Sequence, residues 1–361
     1  MKRTTLLLLA MLAASGRACF NDRDTLGFEL RDQPDAQRAL TGRFERNPPL
    51  YYRMRVARLR SRPRLTAAEH DDLAVALGRL GREDEALASL DPKGLRTADD
   101  RYRFFANRGT LRAHRWLRHG ADRSAKSDLS LAADDIARAL KINPNAHFGR
   151  EATQLEVIRW LMRPKDDDSL GEWLEGKKGP DPMLGLEGLI MLGGAWESPD
   201  VAYAIARLAG DQQEFSTAEL AYARYGELRA WAGRPLRPDD IKEDRFPIGL
   251  GKRPPDGEPP VAESFRRLRT EAEAWNRSRT LFMLARLEQG RHPDTDLTFW
   301  KGWRDTPMPR LDPTRRMTHS EVQARWIVAT FYAVGAGFLA LVVLGLALIV
   351  RATRRRRLPG A

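Results

Sequence analysis

Apolar residues in the body of this chain recur at steps of three and four, and no long stretch alternates apolar and polar residues with period two. Such spacing gives a helix one buried face, so the pattern predicts an all-α fold. A late helix is predicted near residues 261–289. Proline and glycine cluster at 163–182, 233–260 and 290–313, which predicts loops or linkers between helical blocks.

The pattern changes at the N-terminus. Lys2 and Arg3 precede a short apolar run and then small residues, which is typical of a signal peptide over residues 1–18. The single cysteine, Cys19, follows the predicted cleavage point. Two interpretations stay open: Cys19 is the lipidated first residue of a bacterial lipoprotein, or it is a free thiol after ordinary cleavage. Gly16 and Arg17 depart from the usual lipoprotein signal.

The C-terminal pattern predicts a transmembrane helix from Trp326 through Gly337 to Val350. These 25 residues carry no charge, and about 20 such residues cross a hydrocarbon core of about 30 Å. Small residues, Gly337 among them, share one face of this helix and let two spans approach closely. Two interpretations stay open, a homodimer through this helix or a single span, in which small residues are also common. The basic tail 351–361 predicts the cytoplasmic side. Its arginines are Arg351, Arg354, Arg355, Arg356 and Arg357.

The formal charge of +12 comes mainly from these two ends. Eight of the 61 lysines and arginines lie there without any acid, which leaves 53 basic residues against 49 acidic ones in the body. So small an excess gives no electrostatic case for a nucleic-acid partner. The expected protein spans the membrane once, with most of its chain extracytoplasmic, either periplasmic or at the cell surface.

Within the body, a spacing of small and apolar residues recurs. Ala74, Leu77, Gly81, Ala86 and Leu90 stand where a helix, a break and a second helix are expected. This spacing resembles the tetratricopeptide repeat (TPR), a helical hairpin of 34 residues that needs stacked neighbours to bury its apolar face. The resemblance implies a TPR-like array of helical hairpins. The second helix of this unit is expected to stop early, because a proline follows.

A second unit resembles the same family. Ala132, Ile136, Ala139 and Pro144 match its second helix, and Gly109 matches the small residue of its first. The unit is 11 residues longer than the pattern allows, so a longer first helix or turn is expected.

Weaker matches flank these two units. Tyr52, Val56 and Leu59 fit the second helix of a degenerate earlier repeat, and Gly226 with Gly233 fits a later one.

In this family the first helices of the repeats line a concave groove that holds peptides or partner helices. The groove positions carried over to this chain are Ala68, Asp71, Val75, Gly78 and Arg79. Asp71 and Arg79 would then be polar contacts to a partner. The alternative is that both are ordinary exposed charges.

Candidate chemistry is sparse. Residues 171–178 nearly match a phosphate-binding loop, but Lys178 stands where Ser or Thr is required. His114 and His119 are five residues apart, which does not give the shared helix face of a metal pair. A Gly-x-Ser-x-Gly motif is absent from the sequence. The sequence therefore predicts no catalytic residue, no cofactor and no metal.

Two segments allow either membrane contact or internal packing. The basic run 53–62 flanks an apolar stripe that fits an anionic membrane surface as well as repeat packing. The aromatic run 299–303 precedes the predicted span, and it either enters the outer leaflet or packs under the last helix.

Together these features predict a non-enzymatic, membrane-tethered scaffold or adaptor that binds a protein or peptide partner. The alternative is an enzyme or enzyme subunit that acts on the cell envelope, with a site in 183–318. The expected division is a signal peptide (1–18), an N-terminal segment (19–65), a TPR-like domain (66–162), a linker (163–182), a further helical region (183–318), a transmembrane helix (326–350) and a tail (351–361).

Overall fold

A computed structural model describes residues 20–309, apart from 30, 33, 123, 145, 164–167, 178, 213, 231–235 and 237–259. The predicted signal peptide, Cys19, the predicted transmembrane helix 326–350 and the tail 351–361 lie outside the described residues. Among the helices that are described, none combines the length and the apolar composition that a bilayer crossing requires.

The described residues form thirteen α-helices and no strand, which confirms the all-α prediction. The helices are α1 (Arg23–Glu29), α2 (Ala36–Thr41), α3 (Pro49–Arg60), α4 (Ala67–Arg79), α5 (Glu83–Ser89), α6 (Ala98–Arg118), α7 (Ser127–Ile142), α8 (Arg150–Met162), α9 (Leu170–Leu174), α10 (Pro182–Gly188), α11 (Pro199–Asp211), α12 (Phe215–Ala230) and α13 (Pro260–Leu287). Each helix from α3 to α13 packs on near neighbours in the chain, and α13 returns to α2 and α3.

Helices α4 and α5 form the first predicted hairpin. Thr66 caps α4 by accepting a hydrogen bond from the Glu69 N–H. The chain then turns through Gly81, whose φ of +78° is a left-handed conformation that favours glycine. Ala74 and Ala86 are both fully buried. The second helix ends at Ser89, so the predicted early stop before Pro92 is confirmed.

Helices α6 and α7 form the second hairpin, and they cross closely at Gly109. A Cβ on Gly109 would lie 2.9 Å from the carbonyl oxygen of Ala132 and 2.9 Å from the side chain of Ile136. The small residue is therefore required by packing at this crossing, as the sequence predicts. The extra length lies in the 21-residue α6 and in the turn at 119–126.

The later match at Gly226 is wrong as a packing position. This glycine lies inside α12, but a Cβ placed on it would meet nothing within 4 Å. No close helix crossing at this point requires a small residue. Gly233 lies outside the described residues.

The predicted linker 163–182 is not a plain linker, because it contains α9. Leu170 and Leu174 of α9 are almost fully buried, and Gly171 packs on Ala204 of α11. One apolar core extends from Phe28 to Phe265 across this segment. The predicted helical regions 66–162 and 183–318 therefore share a core rather than standing as separate domains.

The two segments with open interpretations both pack inside the protein. Tyr52, Val56 and Leu59 are buried, so the apolar stripe of α3 serves packing rather than a membrane surface. Phe299 is fully buried, and Trp300 stacks on Phe282 of α13 with ring centroids 5.8 Å apart. The aromatic run therefore packs on the last described helix.

Candidate functional site

The face of α4 that carries the predicted groove residues packs against the chain itself. Side chains of α4, α6 and α8 converge on residues 20–23, which we call the N-terminal segment. This segment passes from Phe20 into the start of α1. Its contacts define the chemistry of the site.

Phe20 anchors the segment. Its ring is fully buried, and it lies so close to α4 that a Cβ on Gly78 would be 2.7 Å from it. The ring meets His114 of α6 edge to face, with centroids 5.3 Å apart. The guanidinium of Arg79 lies 5.1 Å from the ring centroid of Phe20. The ring of Phe20 therefore lies in an apolar cluster, with the His114 ring and the Arg79 guanidinium beside it.

Asn107 of α6 binds both backbone polar groups of Asn21, its N–H and its carbonyl. The Asn21 N–H donates to Asn107 Oδ1 at 2.7 Å, and Asn107 Nδ2 donates to the Asn21 carbonyl at 3.0 Å. Asn107 Nδ2 also donates to Asp71 Oδ1 at 3.0 Å, which fixes the orientation of the amide. We call this arrangement the amide clamp. Because the amide clamp binds main-chain atoms, its two contacts to the segment do not depend on the side chain at that position.

The side chain of Asn21 is bound separately by α8. Arg150 Nη2 donates to Asn21 Oδ1 at 3.3 Å, and Asn21 Nδ2 donates to Glu151 Oε1 at 3.4 Å. Arg150 and Glu151 are fully buried and form an ion pair of 2.9 Å. Burial opposes ionisation of Glu151, but the charges of Arg150 and His147 and the hydrogen bond from Arg150 together outweigh it and lower the pKa of the carboxyl. The pair thus offers one donor and one acceptor to a side-chain amide.

Asp72 of α4 binds the end of the segment. Its carboxylate accepts from the Arg23 N–H at 3.0 Å and from Arg23 Nε at 2.6 Å. One carboxylate therefore satisfies both a backbone donor and a guanidinium.

A buried ion cluster lies next to the segment and joins it to distant parts of the chain. Arg55 of α3 is fully buried and contacts Asp22 at 3.2 Å, Asp24 at 3.0 Å and Asp294 at 2.6 Å. Burial and the charge of Asp24 raise the pKa of Asp22 to about 6, although Arg55 opposes this. Burial acts to raise the pKa of Asp294, but the hydrogen bond and the charge of Arg55 outweigh burial and lower this pKa to about 2.

The structure corrects the predicted groove residues. Asp71, Val75 and Gly78 are all buried; Gly78 lies against Phe20, and Asp71 accepts a hydrogen bond from Asn107. Burial raises the pKa of Asp71 to about 7, against hydrogen bonds from Arg103 and Asn107. Asp71 is therefore neither an open partner contact nor an ordinary exposed charge.

The remaining two predicted groove positions also differ from expectation. Ala68 is exposed and is not among the contacts of the segment. Arg79 donates to the carbonyls of Gly193 and Leu192, at 2.6 and 2.5 Å, so it ties α4 to the turn after α10. The Arg79 guanidinium therefore makes its hydrogen bonds within the protein.

Sequence reasoning missed Asn107, Arg150 and Glu151. The available signal was that polar residues interrupt otherwise apolar helix faces, which indicates buried polar partners. Their partner, Asn21, lies 86 residues from Asn107 and 130 from Glu151 along the chain. No local pattern reveals such a pairing.

The arrangement is suited to holding an extended peptide. Within the described ranges, no group of three or more His, Cys, Asp or Glu side chains is placed to bind a metal ion. Compared with protein-family models, curated proteins and solved structures, the chain matches none of them.

Proposed function

We propose that this chain is a non-enzymatic adaptor of the TPR type, tethered to the membrane by residues 326–350. Its body binds a protein or peptide partner on the extracytoplasmic side. The observation that carries this proposal is the amide clamp of Asn107 on the backbone of Asn21. A helix face that already binds the backbone of one segment has the chemistry to bind the backbone of another.

The contacts of the N-terminal segment also support a particular chemistry for the proposed partner. Phe20 fills a pocket with an apolar wall and a guanidinium, and Asn21 offers a side-chain amide to Arg150 and Glu151. An extended partner segment with an aromatic residue followed by Asn reproduces both contacts. Such a partner takes the place of the N-terminal segment, so the bound segment and the partner compete.

Crosslinking of the full chain in living cells, followed by mass spectrometry, tests this proposal. Phe20→Ala weakens the resident segment and leaves the groove wall intact, so it should increase partner capture. Asn107→Leu removes the clamp and should abolish capture. Asn276→Leu on α13 is a matched control, because Asn276 is also an asparagine whose amide donates to backbone carbonyls, but it lies away from the N-terminal segment.

Opposite responses of the two groove variants distinguish competition from general unfolding, which would lower capture in both. The proposal fails if no specific protein is recovered, or if Phe20→Ala and Asn107→Leu both capture as the wild type does. Thermal unfolding of each variant shows whether the fold persists.

The alternative function is an enzyme or enzyme subunit that acts on the cell envelope. The observation in its favour is an open cavity that Asp294 and Asp305 both line. Asp294, however, is held ionised by Arg55, and its pKa of about 2 does not suit a general acid at neutral pH. Turnover of a cell-wall or peptide substrate by the purified full chain would favour this alternative.

A further inference from the structure

A surface cavity of about 440 Å³ opens between α1, α13 and the segment after it. This size lies within the range of small-molecule sites, roughly 300–1,000 Å³. We call it the tryptophan cavity, after Trp275, Trp300 and Trp303 in its wall. It is separate from the groove, although Arg23 and Asp24 reach its edge. A second cavity of about 400 Å³ continues from it past Trp275 and Asp305.

The three indoles give the cavity an aromatic wall. Trp275 and Trp303 are half-buried, and Trp300 keeps 36% of its surface exposed. Trp300 is stabilised from behind by Phe282, whose ring is parallel to within 4°. Large aromatic surface at the edge of a cavity is typical of binding sites, since exposed indoles gain most when a ligand covers them.

The polar groups of the cavity are already paired with each other. Arg279 contacts Glu45 and Asn47 at 3.3 and 3.2 Å, and the Trp275 indole N–H donates to Asp305 at 2.6 Å. Asp294 is paired with Arg55. The exposed carboxylate of Asp305 still has lone pairs that can accept hydroxyl protons, whereas Asp294 is buried and bound by Arg55 and Arg58.

The charge balance limits the chemical class of the ligand. The lining contains three arginines and four carboxylates, so it has neither the excess positive charge that a phosphate requires nor a strong negative field for a polycation. Aromatic faces, which carry partial negative charge, attract the C–H groups of a ring that is otherwise polar. Hydroxyl groups fit the mixed donors and acceptors around them.

We propose that the tryptophan cavity is a binding site for a neutral oligosaccharide. Arg43 and Arg279 lie 4.6 and 4.9 Å from the ring centroids of Trp275 and Trp300, so the sugar packs on Trp303 and on the exposed part of Trp300. Its hydroxyls donate to Asp305 and accept from Arg31. This site goes beyond the proposed adaptor function, because it takes a different class of ligand on α13 and the segment after it, and shares only Arg23 at its edge with the N-terminal segment.

Isothermal titration calorimetry on the purified full chain tests the site. The probes are maltotriose, cellotriose and chitotriose, with trilysine and inorganic phosphate as charged comparisons. The detergent must lack a sugar head group, because such a group would compete. At least one trisaccharide should bind saturably and alter the tryptophan fluorescence, and the charged probes should not bind.

Variants locate the binding. Trp300→Ala should weaken trisaccharide binding about tenfold, and Asp305→Asn, at a side chain that is 67% exposed, should weaken it by a smaller factor without affecting folding. Trp173→Phe is the control, since this tryptophan lies on α9 away from the cavity. The proposal is overturned if none of the trisaccharides binds, if only a charged probe binds, or if Trp300→Ala binds as tightly as the wild type.

Discussion

At the scale of single residues, the protein depends on small side chains where helices cross and on charges that are buried. Gly109 and Gly226 illustrate the first dependence, because both lie inside helices but only Gly109 touches a neighbouring helix. Asp22, Asp71 and Glu187 illustrate the second, since burial raises the pKa of each carboxyl.

The two glycines should respond in opposite ways to alanine. Gly109→Ala places a methyl group 2.9 Å from a carbonyl oxygen that cannot move freely, so it should lower the free energy of unfolding by about 1–3 kcal/mol. Gly226→Ala meets no neighbour and removes backbone entropy from the unfolded chain, so it should raise that energy by about 0.5–1 kcal/mol. Denaturant unfolding of both variants measures the difference. Equal effects would contradict the close crossing of α6 and α7.

Glu187 should make stability depend on pH. Burial and the charges of Asp35, Asp181 and Glu214 raise its pKa from 4.5 to about 8. The folded state therefore binds a proton that the unfolded state has released, and stability falls as pH rises between about 4.5 and 8. Glu187→Gln should be more stable than the wild type at pH 8.5, by on the order of 2 kcal/mol, and nearly equal at pH 4.5. Denaturation at both values checks this, and an advantage that does not change with pH would contradict it.

At the scale of elements, α4, α6 and α8 act together on the N-terminal segment. Asn107 makes three hydrogen bonds in a fully buried setting, to both backbone groups of Asn21 and to Asp71. The segment is thus part of the folded core and also the occupant of the groove.

Asn107→Ala should destabilise the protein by about 2–4 kcal/mol, because it leaves buried donors and acceptors of Asn21 and Asp71 without their partner. Asn276→Ala removes hydrogen bonds from a half-buried position and should cost about 1 kcal/mol or less. Denaturant unfolding compares them. Similar costs for the two variants would mean that the clamp adds nothing to the fold.

The elements also show how far sequence reasoning reaches. The hairpins α4–α5 and α6–α7 are predictable because local spacing of alanine and glycine determines where paired helices touch. The resemblance likewise selected Asp71, Val75 and Gly78 on the face that meets the segment. It could not show that the occupant is residues 20–23, because that depends on the path of the whole chain. Arg55 lies among the buried residues of α3, and a charged residue on an apolar face is, like Asn107, a local sign of a buried polar partner.

At the scale of the whole molecule, the described chain closes on itself. Arg55 joins Asp22 and Asp24 to Asp294. Asp294 lies 239 residues after Arg55 in the chain. His292 reinforces this closure by contacting the Tyr51 carbonyl at 3.0 Å. The same closure forms the tryptophan cavity, whose wall combines residues from both parts.

Arg55→Met should therefore be strongly destabilising, by about 3–5 kcal/mol, because it leaves three carboxylates near one another without their shared cation. Arg60→Met on the same helix is the control. Its pair with Glu85 has both side chains nearly half exposed, and such pairs contribute about 0–1 kcal/mol. Thermal unfolding ranks the two, and an equally mild effect would contradict a central role for the cluster.

Hydrogen exchange of the full chain, followed by mass spectrometry, tests most directly whether α4, α6 and α8 hold residues 20–23 in place. The N–H groups of Asn21 and Arg23 donate to Asn107 and Asp72, so peptides covering them should exchange slowly. Phe20→Ala should speed exchange there while α7 stays unchanged. If these amides exchange in the wild type as fast as in a free peptide, the groove does not hold the segment and the account is wrong.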